Sequence, residues 1–96
     1  MKLLLIVYSG PSPQRITSMF ESHHVDGWTE LERARGAGES GRREGTRAWP
    51  GHSSLFFTAI DDTRSHELIA ALREEREHLA GGERLHVMTL PVENFF

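Results

Sequence analysis

The chain has no cysteine. That absence excludes a disulfide framework and a thiolate metal site, removes the commonest covalent nucleophile, and points to a reducing compartment, the cytoplasm. Lysine is nearly absent too: Lys2 is the one lysine among eleven basic residues. A phosphate loop ending in Gly-Lys-Ser/Thr is therefore excluded. Neither Gly-x-Ser-x-Gly nor His-Glu-x-x-His occurs, and the sequence reads as a non-enzyme. Long apolar runs are missing as well. The longest, Leu3 to Tyr8, falls far short of the roughly 20 residues of a membrane span, and without a small-residue cleavage site it makes a poor signal peptide. With 96 residues there is room for one domain, residues 1–96. A hydrophobic fraction of 38% is lean for that size, so burial against a partner chain is expected to help hold the fold.

What charge there is divides unevenly. Arg33, Arg35, Arg42, Arg43 and Arg47 lie within 15 residues that contain only Glu39 and Glu44 as acids. That stretch carries +3 and leaves −6 on the remainder of a chain whose formal net charge is −3. A basic loop on an acidic body suits a small anion or an acidic protein surface. A nucleic-acid partner is not expected, because a pI near 6.0 is far from that of a domain basic over a whole face.

Hydrophobic periodicity and turn chemistry give the element order. Lys2 to Tyr8 reads as a strand closed by Ser9-Gly10-Pro11-Ser12-Pro13. Ser12 is a candidate N-cap for a helix over about 13–24, on which Ile16, Met19, Phe20 and His23 share a face. Trp28 to Arg35 follows as a second strand. Gly36 to Gly51 holds five of the nine glycines and no apolar period before Trp49, so it reads as a long loop. His52 to Ile60 is the third strand, and Asp61-Asp62-Thr63 is a turn able to cap the next helix. That helix has Leu68, Ile69, Leu72 and Leu79 on one face and Arg73, Glu74, Glu75 and Glu77 toward water. Ala80-Gly81-Gly82 stops it before a last strand over Arg84 to Val92. The order β-α-β-β-α-β is that of an α+β, ferredoxin-like antiparallel sheet with both helices on one face.

Two helices cover only one face of such a sheet, yet the strands are apolar on both. Leu3, Leu5 and Val7 oppose Leu4, Ile6 and Tyr8, while Leu55 and Phe57 oppose Phe56. Leaving the second face wet forfeits roughly 1.5–3 kcal/mol for each large side chain. A partner subunit on that face is expected, the tail Glu93-Asn94-Phe95-Phe96 being too short to cover a sheet.

The arginine-glycine loop is the best candidate for function. Glycines let backbone N–H groups wrap a ligand, and arginine offers paired donors to carboxylate or phosphate oxygens. The plainer alternative is a solvated loop whose arginines serve solubility. Arg33 and Arg35 at the strand end with Gly36, and Arg47 beside Trp49-Pro50-Gly51, are positions a fold can hold still. Arg42 and Arg43 at the tip suit a partner protein. Among six histidines, His23 and His24 are adjacent on a helix and point about 100° apart, so they cannot share an ion. His66 and His78 are more than three turns apart; His52, next to the loop, is the metal candidate, to be completed by carboxylates or symmetry mates.

The opening MKLLLIVYSG, the segment Gly45-Thr46-Arg47-Ala48-Trp49-Pro50-Gly51-His52-Ser53-Ser54 and the ending Leu90-Pro91-Val92-Glu93 resemble small P-II-like signalling proteins over nearly the whole chain. The resemblance implies a homotrimer whose sheets pack around a threefold axis. It implies that residues 36–51 are a T-loop, which changes conformation when an effector binds between subunits and then engages a target such as a membrane transporter. On that plan the effector is a small anion or nucleotide held by Arg33, Arg35, Gly36, Arg47 and Trp49, with Arg42 and Arg43 facing the target. The chain departs from nitrogen-regulatory members at their second glycine-rich loop, T-G-x-x-G-D-G-K. Only Ala80-Gly81-Gly82-Glu83 stands there, without lysine, so nucleotide held in their usual mode is not expected. The T-loop also lacks the tyrosine that is uridylylated in some relatives. Divalent-cation-tolerance trimers share the fold and lack that second loop, so a metal-binding protein using His52 is the alternative.

Overall fold

The computed structural model describes residues 1–38, 41–42 and 53–96, with Ala37, Gly38, Gly41 and Arg42 described as backbone only. Its elements run β1 (Lys2–Ser9), α1 (Gln14–Ser22), β2 (Thr29–Ala34), β3 (Ala37–Gly38), β4 (Gly41–Arg42), β5 (Ser53–Ile60), α2 (Asp62–Glu77) and β6 (Arg84–Pro91). The main sheet has the order β2-β5-β1-β6 with every neighbouring pair antiparallel, the ferredoxin-like arrangement expected from the element order. Among the described residues the addition is a ribbon of β3 with β4 inside the expected loop.

Alternation along the central strands decides the core. Leu4, Ile6 and Tyr8 of β1 and Phe56 of β5 are buried under the helices, against Ile16 and Phe20 of α1 and Leu68 and Leu72 of α2. Phe20 meets Phe56 edge-on at 6.0 Å and Trp28 at 5.3 Å.

The helix ends correct two sequence expectations. Ser12 does not cap α1: Pro13 is the N-cap residue and makes no side-chain cap, while the Ser12 N–H donates to the Tyr8 hydroxyl at 3.1 Å. His23 and His24 lie beyond the last helical residue. His24, at φ 57°, occupies the left-handed position that usually falls to glycine. Its N–H donates to Glu21 O at 3.2 Å and that of Val25 to Phe20 O at 2.8 Å, and Val25 is buried in the core with Phe20. This is a Schellman closure; the hydrophobic contact of Val25 offsets the backbone cost of a left-handed histidine. Asp61 caps α2 as expected, accepting from Arg64 N at 2.8 Å. No helix among the described residues is long and apolar enough to cross a membrane.

Candidate functional site

The sheet face opposite the helices is apolar, and among the described residues of a single copy no element covers it. Cross-strand pairing sets Leu5 beside Phe57 and Met88, Leu3 beside Leu90, and Leu55 beside Val7 and Leu31. Leu31, Met88 and Leu90 are 51%, 50% and 43% exposed, so the central strands screen one another and the edge strands do not.

At one end of the sheet this face turns polar. Ala34, Ser53, Ser9 and Arg84 form a row across β2, β5, β1 and β6, about 14 Å from edge to edge. Ser9 and Ser53 are buried and hydrogen-bond each other through their hydroxyls at 2.5 Å. Continuing the pairing of Thr29 with Phe57 and of Leu31 with Leu55 would place Arg33 opposite Ser53, but the register shifts and Ala34 takes that place. Arg33 becomes the extra residue of a β-bulge, at φ 58°. A left-handed arginine costs about 1–2 kcal/mol. In return Ala34, not an arginine, is the cross-strand neighbour of Ser53, and Arg33 and Arg35 stand exposed at the strand end leading into the long loop.

Beside this row, on the helix side, the turn from α2 to β6 is closed by a buried carboxylate. Glu83 Oε1 accepts from the Tyr8 hydroxyl at 2.6 Å and from Arg15 Nη1 at 3.3 Å; Glu83 Oε2 accepts from Ala80 N at 2.6 Å. Arg15 also reaches Glu75 Oε1 through Nε at 3.4 Å, so Glu75 is half-buried where sequence placed it toward water. The hydrogen bond from Tyr8 is the main cause that holds the Glu83 carboxyl below its ordinary range, against its burial. Burial, followed by the hydrogen bond to Glu83, pushes the Tyr8 phenol up to about 12. Gly10 lets the loop after β1 lie on the phenol, since a Cβ there would stand 2.7 Å from Tyr8 Cζ and 3.1 Å from Glu83 Cγ. The turn Ala80–Glu83 thus has an anion of its own, and it spends the Ala80 N–H on it.

Sequence reasoning missed this cluster, and it missed Arg84 at the far edge of the serine row. The available signals were a lone Glu83 after Gly81-Gly82 and a tyrosine ending an otherwise aliphatic strand. Of the residues it did single out, Arg33, Arg35 and Gly36 stand together at the end of β2, and Arg42 is placed as backbone in β4. Arg43, Arg47, Trp49 and His52 lie outside the described residues. Among the described residues no group of three or more His, Asp or Glu could hold a metal ion.

No family model matches the chain, and no curated protein matches it. Solved structures do. CPII from Thiomonas intermedia K12, a nitrogen regulatory PII-like protein bound to ADP, AMP and bicarbonate, superposes with a TM-score of 0.69 at 20% identity. The match covers 93% of this chain and 86% of that one. A candidate PII-like signaling protein from Thermus thermophilus matches with a TM-score of 0.66 at 24% identity, over 93% of this chain and 85% of that one. The apo form of CPII matches with a TM-score of 0.62 at 16% identity, over 93% and 89% of the two chains. The chain has the fold of these PII-like proteins.

Proposed function

We propose that the protein is a PII-like trimeric regulator of the cytoplasm, which binds a small anionic effector between subunits and contacts a target protein, such as a membrane transporter, through the loop over residues 36–51. The observation that carries this reading is the uncovered apolar sheet face joined at one end to a polar row flanked by arginine, in a fold shared with CPII. Packing three such faces together removes Leu31, Met88 and Leu90 from water, at about 1.5–3 kcal/mol for each side chain fully buried. The bulge at Arg33 fits the same purpose, because it keeps a charge off the face that is to be covered. Arg33, Arg35 and Gly36, with Arg47 and Trp49, are the effector ligands, and Arg42 and Arg43 face the target.

Structures of CPII hold ADP, AMP and bicarbonate, so those are the first effectors to test here. Bicarbonate or another compact anion suits this chain better than a polyphosphate, because the turn at Ala80–Glu83 is occupied by its own carboxylate. The protein acts by binding and changing shape, without catalysis. Sedimentation should give a mass near three times the 10.9 kDa of one chain. A monomer at micromolar concentration would refute the assembly and the intersubunit site with it. Calorimetry against ATP, ADP, AMP and bicarbonate, with Arg47→Ala as control, tests the effector; heat that Arg47→Ala and Arg33→Ala leave unchanged would remove those residues from the site.

A further inference from the structure

Covering the apolar sheet face with further copies of the chain also covers the charged groups that stand on it. Beside Val7 and Ser9 of β1, the pairing sets His86 and Arg84 of β6 on that face, both exposed. Together with the bulged Arg33 at the opposite edge they are its ionisable side chains among the described residues, and no aspartate or glutamate joins them. Glu30 lies opposite Phe56, on the helix side, and Glu32 two residues on alternates to the same side. Glu83, the neighbour of Arg84 in sequence, is turned to the helix side as well, where Tyr8, Arg15 and the Ala80 N–H use its carboxylate. Arg84 enters none of the ion pairs among the described residues. The helix side of β6 differs: there Arg73 and Arg76 edge an apolar groove of about 470 Å³ that Glu77 also lines.

The corner around Arg84 is rich in hydrogen-bond donors. Arg84 and His86 are two residues apart on one face of β6, about 7 Å along the strand, and Ser9 is the partner of Arg84 on the neighbouring strand, about 5 Å away. Ser9 and Ser53 are 3% and 4% exposed and share one hydroxyl–hydroxyl bond. That bond uses one of their two protons, and among the described residues no other side chain takes the second. A guanidinium, an imidazole N–H and a buried hydroxyl within so short a span suit a compact oxyanion, which has acceptor oxygens to meet all three. The sheet face of a second copy cannot supply the negative charge, because it is the same acid-free surface. Arg33 is about 14 Å away across the row, so one compact anion cannot bridge both ends within a copy.

We propose that, in the trimeric assembly on which this reading rests, Arg84 with His86 and the Ser9–Ser53 pair holds a compact oxyanion such as bicarbonate, and that this anion is the counter-charge on which covering the sheet face depends. A guanidinium moved from water into an interface without a negative partner carries a desolvation cost that nothing offsets. The anion supplies the partner, so it binds the assembled state more tightly than the single copy. By linkage it then promotes assembly, and an anion at ten times its Kd for the assembled state raises the association constant about tenfold for each site filled. Removing the charge at position 84 removes both the cost and the dependence.

Sedimentation over a range of chain concentrations, at fixed pH and ionic strength with bulky gluconate exchanged for bicarbonate, measures the coupling. The association constant of the parent should rise about tenfold or more across the exchange. Arg84→Gln should associate in gluconate at least as strongly as the parent does in bicarbonate and should show no rise. Arg84→Lys keeps the charge and should keep a rise, and Arg73→Gln, on the helix side, should respond as the parent does. A parent that assembles equally in the two salts overturns the anion coupling alone and leaves the trimeric regulator standing. So does an Arg84→Gln variant that keeps the rise or fails to assemble in either salt. A parent chain that sediments as a single copy in both salts overturns both.

Discussion

Replacing Tyr8 by phenylalanine removes one hydroxyl and leaves the buried ring in place. That hydroxyl donates to Glu83 at 2.6 Å and accepts the Ser12 N–H at 3.1 Å, so the variant strips a buried carboxylate of its shortest side-chain donor and leaves a loop N–H without its acceptor. A hydrogen bond to a charged group contributes about 1.5–3 kcal/mol, and the ring packing is unchanged. For a domain of this length the loss corresponds to a fall in Tm on the order of 10 °C. Urea unfolding at fixed chain concentration, followed by tryptophan fluorescence, measures it; the concentration is held because association adds its own stabilisation. The pH dependence carries the sharper test. Glu83 has its folded pKa lowered, chiefly by Tyr8, so the stability it contributes is present above its unfolded pKa of about 4.3 and is lost as the pH falls through the lower folded value. Tyr8→Phe removes the main cause of that depression. Its penalty should therefore be largest near neutrality and shrink through the carboxylate range as Glu83 protonates in both proteins. A variant as stable as the parent, or a penalty that does not change with acid, would refute the role assigned to this hydrogen bond.

The same phenol acts in the opposite direction at high pH. Its folded pKa is raised from 10.0 to about 12, so the stability it contributes is complete below about pH 10 and is lost as the pH rises toward 12; Tyr8→Phe should lack this alkaline loss in the same unfolding assay. Gly10→Ala drives a methyl group into the ring end of Tyr8 and should destabilise by about 1–3 kcal/mol, because the ring is held by Glu83 and cannot swing away; wild-type stability would show that the loop moves freely. Arg33→Gly should relieve the left-handed backbone and stabilise by up to about 1 kcal/mol while lowering effector heat in calorimetry, and a loss of stability would contradict the bulge assignment.

Period and punctuation made most of the fold legible. The alternation of β1 and β5 foretold which side chains share a face, and with it an apolar second face, because a period of two leaves no freedom once one face is buried; which set lies under the helices came only from the packing. Helix α2 and its Asp61 cap were readable for the same local reason. Failures came where local chemistry has competitors. Ser12 had the type of a cap, but the N-cap position falls one residue later, on Pro13, while the Ser12 N–H donates to a tyrosine hydroxyl four residues upstream. His24 ended the helix in a geometry normally given to glycine, because Val25 had a core to enter. The bulge at Arg33 left no mark in composition, since it exists only as a mismatch between two strands far apart in sequence. The candidate site was correspondingly half-legible: arginine and glycine counts pointed to the loop and its base, while the Tyr8–Glu83–Arg15 cluster draws its members from β1, the α2–β6 turn and α1.

The sequence by itself determined the element order, the double-sided strands and the concentration of positive charge in one loop, since these follow from local propensity, periodicity and counting. Only the tertiary structure decided that Ala34 and not Arg33 pairs with Ser53, that the turn before β6 carries its own carboxylate, and that an apolar groove edged by Arg73 and Arg76 lies along β6. Each of these depends on register or on contacts between residues distant along the chain, and such relations are set when the strands pair and the helices pack.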